Sequence, residues 1–213
     1  MTDGRPAIGV LISGRGSNLQ ALIDAAANPA FPARIALVLS NKPDAYGLER
    51  ARAAGIPTIV ISHRDYGGDR AAFDTAMDRA LREAGCEFVC LAGFMRILSE
   101  GFVEAWRGRA INIHPSLLPA YRGLDTHARA IADGAAEHGC TVHFVTPGLD
   151  EGPAIIQALV PILPGDTEDA LAARVLAREH DIYPRALGWL AQGRAVLDGD
   201  RALIDGKPGP ERL

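Results

Sequence analysis

Short apolar runs alternate with amphipathic stretches along the first half of the chain, and this alternation restricts the fold more than any other feature. The apolar runs have the length of strands and lie at residues 8–12, 35–39, 58–61 and 88–92. The stretches between them repeat apolar residues at helical spacing. Strands separated by helices form a parallel sheet with right-handed crossovers. The sequence therefore predicts an α/β fold: an open, mostly parallel, Rossmann-like sheet with helices on both faces.

The second half continues with strands and then changes character. Further strands are predicted at residues 110–114, 140–146 and 154–162. Asp166 or Thr167 is suited to cap a long helix, because a short polar side chain accepts a backbone N–H at a helix start. An Asp-Gly pair near the end predicts a terminal hairpin over residues 195–204. We therefore expect a long C-terminal helix followed by a hairpin.

Composition excludes several functional classes. A chain of 213 residues, 48% of them hydrophobic, can bury one sizeable core. Its net charge of −4 shows no footprint for sequence-independent nucleic-acid binding. The opening residues lack a signal-peptide hydrophobic region, and no apolar run approaches the ~18 residues that span a bilayer. These observations predict a cytoplasmic protein with neither nucleic-acid nor membrane partners.

The cysteines argue against disulfides and against a zinc site. There are three of them, an odd number, at Cys86, Cys90 and Cys140, and none has the C-x-x-C spacing. We expect buried free thiols at all three positions.

A glycine-bearing loop follows the first predicted strand. Residues 13–18 read Ser-Gly-Arg-Gly-Ser-Asn and precede a helical pattern, and a helix N-terminus favours an anion. The dinucleotide fingerprint fails because its third glycine is missing, and the Walker pattern fails because no Lys-Ser or Lys-Thr follows. A small phosphomonoester fits this loop better than a nucleotide, although a tight turn without any ligand is equally compatible with it.

A second polar feature lies at the end of a strand. Asn112 and His114 are two residues apart and project from the same face of residues 110–114. Pro115 cannot continue the ladder, so the strand should end at His114 and place the imidazole at its carboxyl tip. An amide beside a group that titrates near neutrality suits a reaction that develops an oxyanion and moves a proton. Taken alone, this pair is better explained as satisfying neighbouring backbone.

Three further features remain ambiguous from the residues alone. The loop at residues 93–98 suits a flat heterocycle, or is a buried connector. The turn-rich segment at residues 147–153 carries Asp150. By the composition of this segment alone, Asp150 is an ordinary turn residue. His143 falls inside a predicted strand, where a single histidine is usually structural, and it is assigned no chemistry.

Together these blocks resemble the folate-dependent glycinamide ribonucleotide formyltransferases of purine biosynthesis. The resemblance covers nearly the whole chain and is carried by residues 11–18, 91–98, 111–119 and 182–184. The block Ile-Asn-Ile-His-Pro-Ser-Leu-Leu-Pro at 111–119 is shared with other users of 10-formyltetrahydrofolate. The glycine loop matches the family's phosphate loop and narrows the substrate to the ribonucleotide.

The resemblance implies roles for particular residues. Asn112, His114 and Asp150 would form the catalytic set, and Glu179 would contact the ribose of the substrate. The phosphate would be held by Gly16, Ser17 and Asn18. The folate would be bordered by Arg70, Met95, Arg96, Ile97, Leu98, Thr146 and Leu149. The chain would then be a single formyltransferase domain over 1–213, with a phosphate-binding βα half at 1–110 and a catalytic and folate half at 111–213.

The implied reaction is a direct transfer, with 10-formyltetrahydrofolate as co-substrate and no metal. The substrate amine would attack the formyl carbon and produce a tetrahedral intermediate. Asn112 would donate to the oxyanion. His114 would stabilise the same oxygen and supply a proton to the leaving nitrogen, while Asp150 would favour the protonated imidazole and help to move the amine's proton.

Three alternatives to this interpretation make different demands on the sequence. Methionyl-tRNA formyltransferase would need an RNA-binding domain and a basic surface, for which 213 residues at a pI of about 5.9 leave no room. Formyltetrahydrofolate deformylase would need a regulatory domain before residue 8. A catalytically silent nucleotide- or folate-sensing module would not need Asn112, His114 and Asp150 together.

The sequence departs from the family at Asp125, where the family usually carries a histidine. Asp125 directly precedes the helix predicted at Thr126, and aspartate is a preferred N-cap residue. We expect its carboxylate to cap that helix, so that losing it costs ~1 kcal/mol of stability.

Overall fold

The computed structural model describes residues 4–213 and divides them into two compact units, one ending at Ile111 and the other comprising Asn112–Leu213. The expectation of no secretory signal rests partly on residues 1–3, which lie outside the described residues. The elements of the first unit are β1 (Ala7–Ile12), α1 (Ser17–Ala26), β2 (Arg34–Ser40), α2 (Gly47–Ala53), β3 (Thr58–Val60), a 3-10 turn (His63–Tyr66), α3 (Arg70–Glu83), β4 (Phe88–Leu91), α4 (Glu100–Ala105) and the start of β5 (Ala110–His114).

The strands of the first unit lie in the order β5-β4-β1-β2-β3. β1 pairs in parallel with both β2 and β4, and β2 pairs in parallel with β3. All six residues of β1 are buried, as expected for a strand of a sheet covered on both faces. The parallel arrangement predicted from the alternation of strands and helices is confirmed.

The helices of the first unit follow local signals in the sequence. Asp69 caps α3 by accepting a hydrogen bond from the N–H of Ala72 at 2.9 Å. Phe73, Met77 and Leu81 form the buried stripe that the helical spacing predicts. The short helix α4, which begins after the cap residue Ser99, was not predicted.

The second unit begins within β5 and carries the C-terminal elements. They are α5 (Thr126–Ala132), β6 (Glu137–Phe144), β7 (Ala154–Pro161), α6 (Glu168–Ala191), β8 (Ala195–Asp198), β9 (Arg201–Ile204), β10 (Lys207–Pro208) and β11 (Glu211–Arg212). Thr167 caps α6, as predicted. Strand order is β5-β6-β7-β11, and β8, β9 and β10 form a separate three-stranded sheet.

Strand direction in the second unit is mixed. β6 and β7 are antiparallel, whereas β11 pairs in parallel with β7. β6 begins three residues before the predicted strand and ends two residues earlier, with a register shift between Val142 and His143. The predicted fold class is confirmed, including the long C-terminal helix and the antiparallel hairpin.

Two further expectations concern cysteines and membranes. Cys86, Cys90 and Cys140 are all buried and free, as predicted. Among residues 4–213, no helix has the length and apolar character needed to cross a membrane.

Candidate functional site

The glycine loop of the first unit joins β1 to α1. Gly16 has φ +70°, and a Cβ at this position would lie 2.7 Å from the Cα of Gly47. A residue with a side chain is therefore excluded on both conformational and steric grounds. α1 begins at Ser17 with no acidic residue in its first turn. Its first N–H groups lack intrahelical partners, and Ser17 and Asn18 are only half-buried, so the helix N-terminus can receive an anion.

Helix α2 holds the glycine loop in place through two hydrogen bonds. The N–H of Gly47 donates to the carbonyl of Gly14 at 3.0 Å. The Nε of Arg50 donates to the carbonyl of Arg15 at 2.9 Å. Because both contacts involve loop carbonyls, they fix the loop without occupying its N–H groups.

The apolar loop at residues 93–98, named here the folate loop after its predicted role, follows β4. Met95, Arg96 and Ile97 are exposed, whereas Leu98 is buried. Arg70, the fifth predicted folate contact of this unit, is the exposed first residue of α3. The loop therefore presents its central side chains outward.

The second unit brings His114 and Asp150 together. β5 ends at His114, as predicted from Pro115. The Nδ1 of His114 lies 3.3 Å from the Oδ2 of Asp150, and its Nε2 lies 2.9 Å from the carbonyl oxygen of Tyr121. Both ring nitrogens thus face oxygen acceptors. The imidazolium is the form that can donate to both of them.

Asp150 is held by the backbone of a neighbouring loop. Its Oδ2 accepts a hydrogen bond from the N–H of Gly123 at 3.0 Å. Asp150 has φ +52°, and its side chain is only 10% exposed. Two residues later, a Cβ on Gly152 would lie 1.7 Å from the carbonyl oxygen of Phe144. The turn therefore needs glycine at 152 to pack against β6, and this packing places the Asp150 carboxylate.

Asn112 contacts a residue to which the sequence assigned no chemistry. The Nδ2 of Asn112 lies 3.1 Å from the Nε2 of His143. The Nδ1 of His143 lies 2.8 Å from the carbonyl oxygen of Phe144, so the proton is assigned to Nδ1 and Nε2 accepts from the amide. Burial lowers the pKa of His143 to about 4, which keeps the ring neutral. His143 therefore orients the Asn112 amide.

The sequence assigned His143 no chemistry because a single histidine in a strand is usually structural, but the strand pairing beside it is irregular. The pairing of β6 with β7 shifts between Val142 and His143. A bulge changes which face a side chain occupies, and bulges often re-aim side chains beside functional sites. The Nε2 of His143 also lies 3.8 Å from the Oδ1 of Asp150. Like His114 at the end of β5, His143 lies near the carboxyl end of its strand, and this shared position is the signal that could have identified His143 from the sequence.

The segment that follows His114 is fixed by a buried threonine. The hydroxyl of Thr141 donates to the carbonyl of Ser116 at 2.7 Å. It accepts from the N–H of Leu118 and from the Nε2 of Gln157, each at 3.1 Å. These bonds hold the Pro-Ser-Leu-Leu segment and, through it, the carboxyl end of β5.

The other predicted residues of this unit differ in exposure. Glu179 is 6% exposed on α6, so it is not the solvated residue that a helical glutamate usually is. Thr146 is half-buried just after β6, and Leu149 is 56% exposed in the following turn. In residues 4–213, no group of three or more His, Cys, Asp or Glu side chains is arranged to hold a metal ion.

The capping role expected for Asp125 was wrong. Asp125 does occupy the N-cap position of α5, but its side chain makes no capping hydrogen bond. Its φ is +55°, a left-handed conformation, whereas a capping aspartate has extended backbone. The residue is exposed, and its backbone conformation explains why the carboxylate does not reach the helix N–H groups.

Comparison with known proteins gives a consistent result. A profile described as formyl transferase matches residues 7–187. The chain is 50% identical over 203 residues to the phosphoribosylglycinamide formyltransferase of Escherichia coli, covering 94% of each chain. It is 52% identical over 199 residues to the trifunctional purine biosynthetic protein adenosine-3 of Drosophila melanogaster, covering 92% of this chain but only 15% of that protein.

A solved structure extends the likeness to the fold. The phosphoribosylglycinamide formyltransferase of Coxiella burnetii, solved in complex with CHES, has a TM-score of 0.93 to this chain. The two are 46% identical, and the match covers 98% of this chain and 99% of that one.

Proposed function

The chain belongs to the formyl transferase family, and we propose that it transfers the formyl group of 10-formyltetrahydrofolate to the amine of glycinamide ribonucleotide in purine biosynthesis. Relatives that it covers nearly end to end carry the name phosphoribosylglycinamide formyltransferase. The observation that carries the proposal is the cluster of Asn112, His114 and Asp150 in the second unit, in which His114 is buried and the other two are half-buried. This cluster combines an oriented amide donor with an imidazole paired to a carboxylate.

The first step is attack of the substrate amine on the formyl carbon. The C–N bond forms as the carbonyl π electrons move to oxygen, giving a tetrahedral oxyanion. One N–H of the Asn112 amide points to His143, and the other is available for this oxyanion. Because His143 is neutral and accepts a hydrogen bond, it sets the direction of the amide before the substrate binds. Preorganised donors of this kind lower the barrier to oxyanion formation.

The second step is collapse of the intermediate and departure of the folate nitrogen. The His114 imidazolium can donate to the oxyanion and then to the leaving nitrogen. In the structure its Nε2 donates to the carbonyl of Tyr121, and we propose that a substrate oxygen replaces this carbonyl. The Asp150 carboxylate stabilises the charged ring and accepts the proton that the attacking amine loses. His114 supplies the proton that the leaving nitrogen gains, and Asp150 takes up the proton that the amine loses. These proton transfers need no metal.

The remaining predicted residues would bind the two substrates. Gly16, Ser17 and Asn18 would hold the phosphate through the N-terminus of α1, and Glu179 would contact the ribose. The folate would be bordered by Arg70, Met95, Arg96, Ile97, Leu98, Thr146 and Leu149. The exposed central side chains of the folate loop and the half-buried position of Asn18 support these roles.

The wider setting is also part of the proposal. We propose a cytoplasmic enzyme formed by a single domain, residues 1–213, with a phosphate-binding half at 1–110 and a catalytic and folate half at 111–213. It would act on small molecules, with no nucleic-acid or membrane partner and no metal.

An assay of formyl transfer tests the function directly. The protein is mixed with 10-formyltetrahydrofolate in the presence or absence of glycinamide ribonucleotide, and the release of tetrahydrofolate is followed by absorbance. The His114→Ala variant serves as control. We expect release that depends on the ribonucleotide and on His114. Release without the ribonucleotide would indicate deformylase activity, and no release under either condition would favour a sensing module. Both results would contradict the proposal.

A further inference from the structure

The hydroxyl of Ser13 connects the glycine loop to the folate loop within the first unit. Ser13 is the first residue after β1 and is 4% exposed. Its hydroxyl donates to the Oδ1 of Asn41 at 2.6 Å and accepts from the backbone N–H of Met95 at 2.8 Å. Because the one hydroxyl proton is engaged by Asn41, a lone pair is left to receive the Met95 N–H.

Asn41 is itself held in one orientation. It is 1% exposed directly after β2, and its Nδ2 lies 3.2 Å from the Nδ1 of His63 in the 3-10 turn. The same Nδ1 lies 3.3 Å from the backbone carbonyl oxygen of Asn41. We assign the ring proton to Nε2, so that Nδ1 accepts from the Asn41 amide and Oδ1 is turned toward Ser13. The hydrogen bonds therefore run from His63 through Asn41 and Ser13 to Met95.

The folate loop is also fixed where it leads into α4. The N–H of Ser99 donates to the Asp74 carboxylate, a group that is 1% exposed. Burial raises the pKa of Asp74, and Arg70 and Arg96 act in the opposite direction. Between the two anchors, Met95 and Ile97 remain 64% and 56% exposed. The backbone is held while the side chains face outward, an arrangement suited to binding a flat ring through main-chain groups.

We propose that Ser13 is a positioning residue for the formyl donor. It lies in the glycine motif, but its hydroxyl is engaged by Asn41 and Met95, so it acts on the folate loop and not on the phosphate. A residue of the phosphate-binding motif therefore governs affinity for the folate. This inference rests on the proposed function, because it takes residues 93–98 to be the folate loop.

The test measures binding of 5-formyltetrahydrofolate by isothermal titration and the KM for each substrate by formyl transfer. Ser13→Ala leaves the Met95 N–H and the Asn41 Oδ1 without their partner, so we expect about tenfold weaker folate binding. We expect kcat at saturation to change less than about threefold, because Ser13 acts through Met95 and does not touch the reacting atoms.

Ser40→Ala is the matched control. Ser40 is also a buried serine at a strand end in this unit, but its hydroxyl bonds within its own turn, to the backbone of Lys42. We expect its folate affinity to stay within twofold of wild type. Equal losses of folate affinity in Ser13→Ala and Ser40→Ala would show a general packing effect and overturn the proposal.

A second variant keeps the proposal testable if Ser13→Ala does not fold. Asn41→Ala retains the Ser13 hydroxyl but frees it to rotate, and we expect about threefold weaker folate binding. Unchanged folate affinity in Ser13→Ala, or in Asn41→Ala when the first variant is unfolded, would overturn the inference. Wild type that binds the folate but transfers no formyl group would overturn the proposed function alone.

Discussion

The glycine loop of the first unit and the side-chain cluster of the second unit, formed by Asn112, His114, His143 and Asp150, use different kinds of functional groups. In the loop, the groups available to a ligand are backbone N–H groups and small side chains, held by bonds from α2 to loop carbonyls. In the cluster, the functional groups are nearly buried titratable side chains in contact with one another. The loop is suited to holding a fixed charge, whereas the cluster is suited to moving a proton.

This difference determines what a substitution should do. A backbone cradle binds ground state and transition state alike, so damage to it should raise KM. Side chains that meet a developing charge act mainly in the transition state, so damage to them should lower kcat. The contrast should be clearest for the residues whose contacts are most specific. Substitutions in the side-chain cluster and in the glycine loop can each test it.

The largest effect is expected for His114→Ala. Loss of the imidazole removes the proton donor and one partner of the oxyanion, so kcat should fall ~10³–10⁴-fold. Folding should be little affected, because the two acceptors around His114 can bind water instead. Single-turnover rates and thermal unfolding of the same preparation measure both quantities. Near-normal turnover would mean that His114 takes no part in the mechanism. The contrast between the glycine loop and the side-chain cluster would then fail.

Asp150→Asn should have the next largest effect. The isosteric amide keeps the shape of the turn but removes the charge that faces the Nδ1 of His114, 3.3 Å away. We expect kcat to fall ~10²-fold or more, because the imidazolium that donates the proton loses its counter-charge. Asp166→Asn is the control, since Asp166 pairs with Arg174 and not with a histidine. Unchanged turnover in Asp150→Asn would mean that Asp150 is an ordinary turn residue.

Asn18→Ala tests the other side of the comparison. Loss of one polar contact to the phosphate should raise KM for the ribonucleotide about tenfold and leave kcat and folate affinity nearly unchanged. Gly16→Val, by contrast, should also lower stability, because its Cβ would lie 2.7 Å from the Cα of Gly47. A loss of folate affinity in Asn18→Ala would mean that the two binding regions are assigned backwards.

The two regions also differ in how far the sequence predicts them. The glycine loop is contiguous, and its strand, its glycines and the helix at Ser17 follow from local rules. The end of β5 at His114 was equally local, because Pro115 stops the ladder. Asp150 was identified only through the family resemblance, since its position depends on how a turn packs against β6.

His143 shows where reasoning from a single residue in a strand stops being informative. Its environment depends on pairing between β6 and β7 and on a register shift that no short sequence pattern encodes. β11 was missed for the related reason that two residues carry too little pattern to reveal a partner strand. α4 was missed because its six residues fall below the length at which helical spacing is distinct.

His143 also predicts a pH dependence of stability. Burial holds the pKa of His143 and of His138 at about 4, below the value of ~6.5 in an unfolded chain. The unfolded chain therefore takes up protons that the folded protein does not. Stability should be complete above pH ~6.5 and fall as the pH drops toward 4, by up to ~1.4 kcal/mol per pH unit for each histidine.

His143→Gln and His138→Gln separate the structural effect from the catalytic one. Urea unfolding between pH 4.5 and 7 should show a shallower pH dependence in both variants. Only His143→Gln should also lower kcat, by roughly fivefold, because only His143 contacts Asn112. Equal kcat values in the two variants would mean that His143 does not orient the amide, and a pH dependence equal to wild type would mean that neither ring is buried neutral.

The smallest effect is expected at Asp125, where the family usually has histidine. Aspartate and histidine are both enriched among the few residues that tolerate positive φ, so the structure offers a shared reason for either residue at φ +55°. Asp125→Ala should cost ~1 kcal/mol of stability through backbone strain, while Asp125→Asn should be nearly neutral. A capping role would also make alanine costly, so alanine alone does not distinguish the two explanations.

Serine does distinguish them, because it caps helices as well as aspartate does but tolerates positive φ poorly. Under the backbone explanation Asp125→Ser should lose about as much stability as Asp125→Ala, whereas under the capping explanation it should match wild type. In all three variants kcat/KM should change less than about threefold, since the carboxylate is exposed and makes no capping bond. A hundredfold loss of rate with unaltered unfolding would make Asp125 part of the chemistry, and the division between a binding loop and a catalytic cluster would then have to include α5.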